Sequence, residues 1–355
     1  MEGTEPTADR APEPTPDGTI EGTSNEASAQ GKGGGRVNRS GKGDQNPKGD
    51  WDGKRPGTRQ AARSRFTPGA MAGLRLEERD ELLLCDLYLH RFMSRSQVEA
   101  LFFSSTVRAN ARLRQLFDHG FVRRYYLPAA PYGAQAIYSI GKKAVPLVAR
   151  RLEVEADEVA RHYRGTKSPT FIEHTLEVVN IRLAFRDACT KQSPVSPHVA
   201  IERWLPEMEC RHEYQIRAKG TGHWKKEAFK PDAFVRLAAG KEFFNFFIEV
   251  DLGHTSSRQF AGKLSTHQRY LESGLFQEIY SGDEFHTLVI TTGQRRLKNL
   301  GALARQHFAH EHTGQQHNDH LFWFTTFDEA KATGILGTIW HKGIARREPL
   351  LPSFP

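Results

Sequence analysis

Cysteine is scarce in this chain, and long apolar runs are absent. The 355 residues include only three cysteines, Cys85, Cys189 and Cys210, and no two of them are close in sequence. This excludes a disulfide-stapled scaffold and a cysteine-rich zinc site. No stretch approaches the ~18 uncharged apolar residues of a membrane-spanning helix, and residues 1–6 lack the basic and apolar regions of a signal peptide. We therefore expect a reduced, cytoplasmic protein that does not insert into a membrane.

Bulky apolar residues are rare in the first 72 residues. The first leucine is Leu74, and residues 1–72 hold thirteen glycines. Such a segment buries too little apolar surface to offset its ordering entropy, so we predict a disordered tail over 1–72. Residues 1–30 carry a net charge of −6 and residues 31–66 carry +7, so most of the formal +8 belongs to the remaining chain. The basic half is expected either to bind phosphates without sequence preference or to act as a solubilising tail.

The next part of the chain has the element order of a DNA-binding module. The pattern predicts helices over 77–91, 97–103 and 106–119, followed by strands over 121–127 and 136–140. Ser96 is expected to cap the second helix, and Gly120 to end the third. Three helices followed by a two-stranded hairpin are typical of a winged helix-turn-helix domain, placed at 73–150.

The third predicted helix has two distinct faces. Ala109, Leu113 and Leu116 form an apolar stripe, whereas polar and basic side chains lie on another face. Those side chains are suited to guanine edges and phosphates in a major groove, and ordinary solvated charge is the alternative. The predicted DNA-binding residues are Arg108, Arg112 and Gln115 on the helix, with Arg123 and Arg124 on the first wing strand.

Helical and strand-like segments alternate after the winged helix. A long amphipathic helix is predicted over 168–189 and further helices over 256–271 and 294–308. Strands are predicted over 199–205, 233–237, 243–250, 288–292 and 321–325. This order predicts an α/β domain with a mixed sheet over 151–345, followed by a C-terminal tail over 346–355.

Two of these strands gather acidic residues at one end. Lys230-Pro231-Asp232 opens one strand, Ile248-Glu249-Val250-Asp251 closes the next, and Ala239-Gly240-Lys241 forms a turn between them. If the strands pair about that turn, apolar residues oppose one another on one side, and Asp232 faces Glu249 on the other. Asp251 shares the side of Glu249 because side chains alternate along a strand.

Three carboxylates this close repel one another unless a cation or a proton lies among them. Oxygen ligands at a sheet end suit Mg²⁺ or Mn²⁺, which generate hydroxide and stabilise charge at a phosphoryl centre. Asp232, Glu249 and Asp251 are therefore the predicted metal ligands. The alternative is that they are solvated acids at the end of a strand.

Pro231-Asp232 and Glu249-x-Asp251 resemble the PD-(D/E)xK signature of the restriction-endonuclease-like fold, which has an α-β-β-β-α-β core. The last position is Asp251 where that signature has lysine, and in some members the lysine comes from the following helix, here Lys263. The resemblance implies catalytic roles for Asp232, Glu249, Asp251 and Lys263 in metal-dependent DNA cleavage. The departure at Asp251 equally implies a site that no longer cuts.

The order of parts is similar to that of the replication-relaxation family of plasmids and integrative elements, largely from Gram-positive bacteria. The shared features are a winged helix, a helix with Glu173-His174, Pro231-Asp232-Ala233, and Lys263-Leu264 followed by Tyr270. The resemblance covers about residues 74–345. It implies a bacterial protein that acts on double-stranded plasmid DNA, alongside replication or conjugation proteins. Glu173, His174 and Tyr270 are additional candidates near the carboxylates, with Glu173 as a metal ligand or base.

Histidines are concentrated over residues 307–320, at His307, His310, His312, His317 and His320. Three of them would suffice for zinc, and a polar loop with solvated histidines is the alternative.

Three functions remain open at this point. The first is a DNA-binding protein of plasmid replication or relaxation that nicks DNA with Mg²⁺ or Mn²⁺. The second is a non-enzymatic replication accessory factor whose nuclease-like domain is a scaffold. The third is a winged-helix transcription regulator with a sensing domain, which three clustered carboxylates disfavour because an apolar pocket has little use for them.

Overall fold

The computed structural model describes residues 73–127, 136–164, 167–191, 198–217, 222–282, 284–310, 320–342 and 347–352. The predicted disordered tail over 1–72 and the predicted wing turn at 128–133 lie outside these residues.

The first part of the fold contains three helices and a small sheet at the predicted positions. In chain order its elements are α1 (Glu78–Leu89), β1 (Met93–Ser94), α2 (Arg95–Phe102), α3 (Thr106–Asp118), β2 (Val122–Tyr125) and β3 (Ile137–Ile140). The sheet has the order β1-β3-β2, and both pairings are antiparallel. The short strand β1 was not predicted, because two residues are too few to show the alternation of apolar and polar side chains that marks a strand.

The start of α2 differs from the prediction. Ser94, and not Ser96, is the N-cap: its hydroxyl accepts a hydrogen bond from the Gln97 backbone N–H. The Gln97 side chain in turn accepts from the Ser94 backbone N–H at 2.9 Å, which completes a capping box. The helix therefore begins earlier than predicted, because the capping box of Ser94 and Gln97 makes Ser94 the N-cap in place of Ser96.

A long helix is shared by the two parts of the fold. After α4 (Val145–Leu152) and α5 (Ala156–Arg164), the 22-residue α6 (Pro169–Thr190) is capped by Ser168. Val179 of α6 packs in the core of the first part, whereas Ile181 and Phe185 pack in the core beneath the large sheet. One helix therefore contributes to both cores.

Polar contacts add to this packing. The Gln97 side-chain amide donates to the Leu176 carbonyl and to the Asn180 side chain, each at 2.7 Å. Arg182 on α6 pairs with Asp86 on α1 at 2.7 Å. The two parts are therefore joined by directional hydrogen bonds as well as by apolar contact.

The second part is a mixed α/β layer structure, as predicted. In chain order its elements are β4 (Val199–Pro206), β5 (His212–Arg217), β6 (Trp224–Phe229), β7 (Ala233–Ala239), β8 (Glu242–Asp251), α7 (Ser257–Glu272), α8 (Leu275–Tyr280), β9 (His286–Thr291), α9 (Gln294–His310), β10 (Phe322–Thr326), α10 (Phe327–Thr333), β11 (Trp340–Lys342) and β12 (Arg347–Glu348). A seven-stranded sheet within the described residues has the order β12-β11-β10-β9-β8-β7-β4, with β9 parallel to β8 and β10 and the other pairs antiparallel.

The β7–β8 pairing has the predicted register. Ala233 pairs with Ile248 and Val235 with Phe246, and these residues lie in the core that α6 covers. Phe234 and Phe247 on the opposite face are also buried, in a second core rich in aromatic residues from α7 and α8. Both faces of the hairpin are therefore covered, and its carboxylates meet packed helices.

Several elements were not predicted. The two-stranded antiparallel sheet of β5 and β6 is the largest of them, and it forms a separate sheet beside α7. The short α8, α10, β11 and β12 were also missed. No helix among the described residues combines the length and the hydropathy needed to cross a bilayer.

A buried ion pair fixes α3 against α1. Asp80 has no exposed surface, and Arg112 reaches it with two nitrogens, Nε at 3.0 Å from Oδ1 and Nη2 on Oδ2. Nη2 also donates to the Arg75 carbonyl at 2.7 Å. The hydrogen bond to Asp80 is the main reason that the pKa of Arg112 is raised.

We expect Arg112→Ala to lower the free energy of unfolding by about 3 kcal/mol, because the buried Asp80 carboxylate loses its bidentate partner and keeps only the Glu77 backbone N–H at 2.8 Å and Arg79 at 3.7 Å. Urea unfolding followed by circular dichroism measures this. Arg114→Ala is the matched control on the same helix, since Arg114 is half exposed and, among the described residues, pairs only with Asp118. Its cost should be within about 1 kcal/mol. Equal losses in the two variants would contradict a structural role for Arg112.

Candidate functional site

The predicted carboxylates do lie at one end of the β7–β8 hairpin. The Asp232 backbone N–H donates to the Ile248 carbonyl at 3.0 Å, so the pairing extends one residue beyond β7 and places Asp232 beside Glu249. Asp251 is the last residue of β8. The structure therefore brings the three residues to one strand end, where each meets a different helix.

Asp232 meets α6. Its Oδ2 accepts from the Val250 backbone N–H at 2.7 Å and lies 3.2 Å from His174 Nε2, which is also 3.1 Å from the Val250 carbonyl. Burial opposes ionisation of Asp232, but His174 and Lys263 lower its pKa to about 2. Burial likewise opposes protonation of His174, but the Asp232 carboxylate raises its pKa to about 9. The pair is therefore charged on both sides at neutral pH.

Glu249 meets α7. Its side chain is almost fully buried, with Lys263 Nζ on Oε2 and His267 Nε2 2.9 Å from Oε1. Because an ionised carboxylate only accepts hydrogen bonds, His267 Nε2 carries a hydrogen, and Nδ1 lies 2.8 Å from the Thr287 hydroxyl. Burial would lower the pKa of Lys263, but Glu249 and Asp232 raise it above its usual value.

Asp251 meets α9. Thr291 donates to Oδ2 at 2.7 Å, and Arg296 donates to both carboxylate oxygens at 2.8 and 3.0 Å. Burial opposes ionisation of Asp251, but the hydrogen bonds from Arg296 and Thr291 hold its pKa below the usual value. Both carboxylate oxygens of Asp251 are therefore engaged by Arg296.

The strand-end cluster, as we call Asp232, Glu249, Asp251 and their partners, is balanced in charge. Three carboxylates are opposed by three cations, His174, Lys263 and Arg296. Both oxygens of Glu249 and of Asp251 are already engaged. No three His, Cys, Asp or Glu side chains among the described residues are grouped to hold a metal ion. A divalent cation needs several free oxygens and would add charge to a neutral, buried site. In this arrangement the residues do not fit Mg²⁺ or Mn²⁺.

The remaining strand-end candidates differ in their placement. Glu173 is half-buried, and its side chain makes no hydrogen bond or ion pair with the part of the chain that the structure describes. Tyr270 is fully buried, stacked on Phe229 with ring centroids 3.9 Å apart, and its hydroxyl has no hydrogen-bond partner among the described residues. Tyr270 is therefore a core residue and does not reach the carboxylates.

Two residues of the cluster were absent from the predicted site. His267 follows Lys263 by one helical turn, and that spacing is the signal that points to it. Arg296 lies on a helix far along the chain, where no local pattern ties it to Asp251.

The candidate DNA-binding residues are divided by the structure. Arg108 is exposed, and its Nη1 donates only weakly, to the Ser104 hydroxyl at 3.3 Å. Arg112 is bound to Asp80, and Gln115 accepts from Arg112 at 2.9 Å. The side of α3 that carries Arg112 and Gln115 thus packs toward α1, which periodicity alone does not reveal.

The exposed face of α3 includes residues that were not predicted. Val107 is 78% exposed, and Asn110, Ala111 and Arg114 are exposed beside it. They lie opposite the buried stripe of Ala109, Leu113, Leu116 and Phe117. The helical periodicity of that stripe is the sequence signal that places these four residues on the exposed face.

The two arginines on β2 contact aromatic rings. Arg123 lies over Tyr125 at 5.2 Å, and Arg124 lies over Phe117 at 4.4 Å. Arg124 is therefore part of the packing between β2 and α3.

Of the clustered histidines, His312 and His317 lie outside the described residues, as does the side chain of His310. The zinc hypothesis for them has no support from the residues that the structure describes.

The chain belongs to the replication-relaxation family. The sequence profile of that family matches residues 84–282, more than half of the chain. The match runs from within α1 to just after α8 and includes all three carboxylates and Lys263, whereas Arg296 lies beyond it. Membership points to a role in the replication or relaxation of a plasmid or mobile element. No curated protein and no solved structure matches the chain.

The charged pair of His174 and Asp232 predicts a pH dependence of stability. The pKa of His174 is raised from 6.5 to about 9 on folding, so its contribution is complete below 6.5 and is lost as the pH rises through about 9. We expect the wild type to lose roughly 2–3 kcal/mol of unfolding free energy over this range that His174→Gln does not lose.

Urea unfolding at about pH 6 and about pH 9.5 measures this difference. His198→Gln, at an exposed position, is the control and should follow the wild type. Parallel pH profiles for the wild type and His174→Gln would contradict the assignment.

Proposed function

We propose that this protein is a DNA-binding factor of plasmid or mobile-element replication that docks on duplex DNA through α3. Its α/β part, in this proposal, is a scaffold that works without a metal. The exposed face of α3 is the observation that carries the proposal. Replication or conjugation proteins would meet the protein on that DNA.

The geometry of the first part supports a winged-helix mode of binding. Helices α2 and α3 are joined by a three-residue turn, and a small antiparallel sheet follows. In helix-turn-helix proteins the second helix enters the major groove and contacts base edges with its N-terminal residues. The corresponding residues, Val107, Arg108, Asn110 and Ala111, are all exposed.

The chemistry of this face suits DNA. Arginine recognises guanine, asparagine recognises adenine, and small apolar side chains contact the thymine methyl group. Arg108 is held only by a hydroxyl, and the Arg114–Asp118 pair is exposed at the surface. Exchange of such contacts for phosphate contacts costs little, because exposed ion pairs contribute at most about 1 kcal/mol.

The strand-end cluster supports the scaffold role. Its cations come from α6, α7 and α9, so the charges join three helices to one end of the sheet. A nuclease would need at least two of these carboxylates to exchange their protein partners for a metal ion. The engaged oxygens and the balanced charge favour the structural role.

Removal of two cations from the exposed face of α3 should weaken the binding of duplex DNA. In the double variant Arg108→Ala and Arg114→Ala, the slope of log affinity against log salt should fall by about 2, since each lost phosphate contact contributes about 0.9. Fluorescence anisotropy with a random-sequence duplex of about 30 base pairs measures it over a salt series.

The matched control removes the same charge elsewhere. Arg150 on α4 and Lys331 on α10 are both exposed, and the double variant Arg150→Ala and Lys331→Ala should keep the wild-type slope. Equal slopes in all three proteins would rule out α3 as the DNA-binding face.

The scaffold role predicts that the protein does not nick supercoiled plasmid with Mg²⁺ or Mn²⁺. Asp232→Asn and Glu249→Gln, at a temperature where circular dichroism shows that each is folded, should bind duplex DNA with wild-type affinity, because α3 carries the binding. Agarose-gel separation of supercoiled and open-circular plasmid is the measurement, with a commercial nicking enzyme as positive control. Metal-dependent nicking by the wild type that both variants lose would establish a nuclease and overturn the scaffold role.

A further inference from the structure

The two-stranded sheet of β5 and β6 has two chemically different faces. Arg217 pairs with Trp224 and Gln215 with Lys226, so these four side chains share one face. All four are exposed. We call this the outer face of the hairpin, and neither the strand-end cluster nor α3 involves it.

The other face of the hairpin is anchored on α7. Phe229 is fully buried and stacks on Tyr270, and Tyr214 donates to the Thr266 carbonyl at 3.4 Å. Arg269 on α7 pairs with Glu227 through two nitrogens, with Nε 2.7 Å from Oε2. These contacts fix the hairpin, so the outer face is held in place before any ligand arrives.

Trp224 is the distinctive residue of the outer face. Its side chain is 63% exposed, in a fold whose other large aromatic residues are mostly buried. The Arg217 guanidinium lies 5.2 Å from the centre of its ring. An exposed indole beside a cation offers a flat stacking surface with a positive charge next to it.

The charges around Trp224 complement a phosphate backbone. Arg217, Lys225 and Lys226 are exposed, and none of them forms an ion pair with another described residue. The one acid on the outer face, Glu213, lies toward the other end of the hairpin and is 2.9 Å from Arg211. The end of the hairpin that carries Trp224 is therefore positively charged.

We propose that the outer face binds single-stranded DNA, with one base stacked on Trp224 and with Arg217 and Lys226 at the phosphates. An indole stacks on a base only where the base is not already covered by its neighbours, and this favours a single strand over a duplex. The proposal rests on the DNA-binding role stated above, and it adds a second site with a different form of DNA as its ligand.

The test uses the full chain and a labelled oligothymidine of about 20 nucleotides, followed by fluorescence anisotropy. Trp224→Ala should weaken binding roughly 5- to 150-fold, the range for loss of one stacked base. Trp224→Phe should retain most of the affinity because it keeps an aromatic ring. Binding of the oligonucleotide should also quench tryptophan fluorescence in the wild type and much less in Trp224→Phe.

Phe243→Ala is the matched control. Phe243 is also an exposed aromatic residue, 58% accessible and close to Arg236, at the turn end of the β7–β8 hairpin. It should bind the oligonucleotide like the wild type. Wild-type affinity in Trp224→Ala, or an equal loss in Phe243→Ala, would overturn the proposal.

Duplex binding by α3 and single-strand binding by the outer face can be tested independently. Trp224→Ala should bind the duplex of the salt series with wild-type affinity, whereas the α3 double variant should keep its quenching by oligothymidine. Loss of both ligands in Trp224→Ala, together with a lowered melting temperature, would mean that Trp224 only supports the fold and would overturn the single-strand site.

Discussion

Neutralisation of three carboxylates at the end of the β7–β8 hairpin is the constraint on which the second part of the fold depends. The strand register places Asp232, Glu249 and Asp251 together, and all three side chains are largely buried. Each is matched by a cation from a different helix. The helices on both sides of the sheet are thus fixed by charge as well as by apolar packing, because loss of one partner would leave a buried charge.

Helix α6 carries this constraint to the first part of the fold. The same helix supplies His174 to Asp232, Val179 to the core of the first part, and Arg182 to Asp86 on α1. An element that contributes to two cores does not tilt freely in either. The exposed face of α3 is therefore supported by the same packed helices as the strand-end cluster, and the outer face of the β5–β6 hairpin is held against them through α7.

Much of the fold was predictable, because it depends on patterns that are local in sequence. The register of β7 and β8 follows from alternation about the turn at Gly240, which has the positive φ of 63° that glycine favours. The contacts of the candidate residues were harder to predict: Arg296 reaches Asp251 only through tertiary packing, and the ion pair of Arg112 with Asp80 depends on the placement of α1 beside α3. The β5–β6 pair was hard to predict because the alternation is broken in β6: Trp224 lies on the outer face, whereas Lys225 and Glu227 lie on the face toward α7.

The proposed function requires that α3 contacts duplex DNA and that this contact needs no metal. The most direct measurement places a photoactivated crosslinker at Val107→Cys in a Cys189→Ser background, because Cys85 and Cys210 are buried but Cys189 is only half-buried and would also be labelled. In buffer with EDTA, the label should attach to duplex DNA, and the same label at Phe243→Cys should not. Absence of a crosslink from position 107, or its appearance only with Mg²⁺, would contradict the claim.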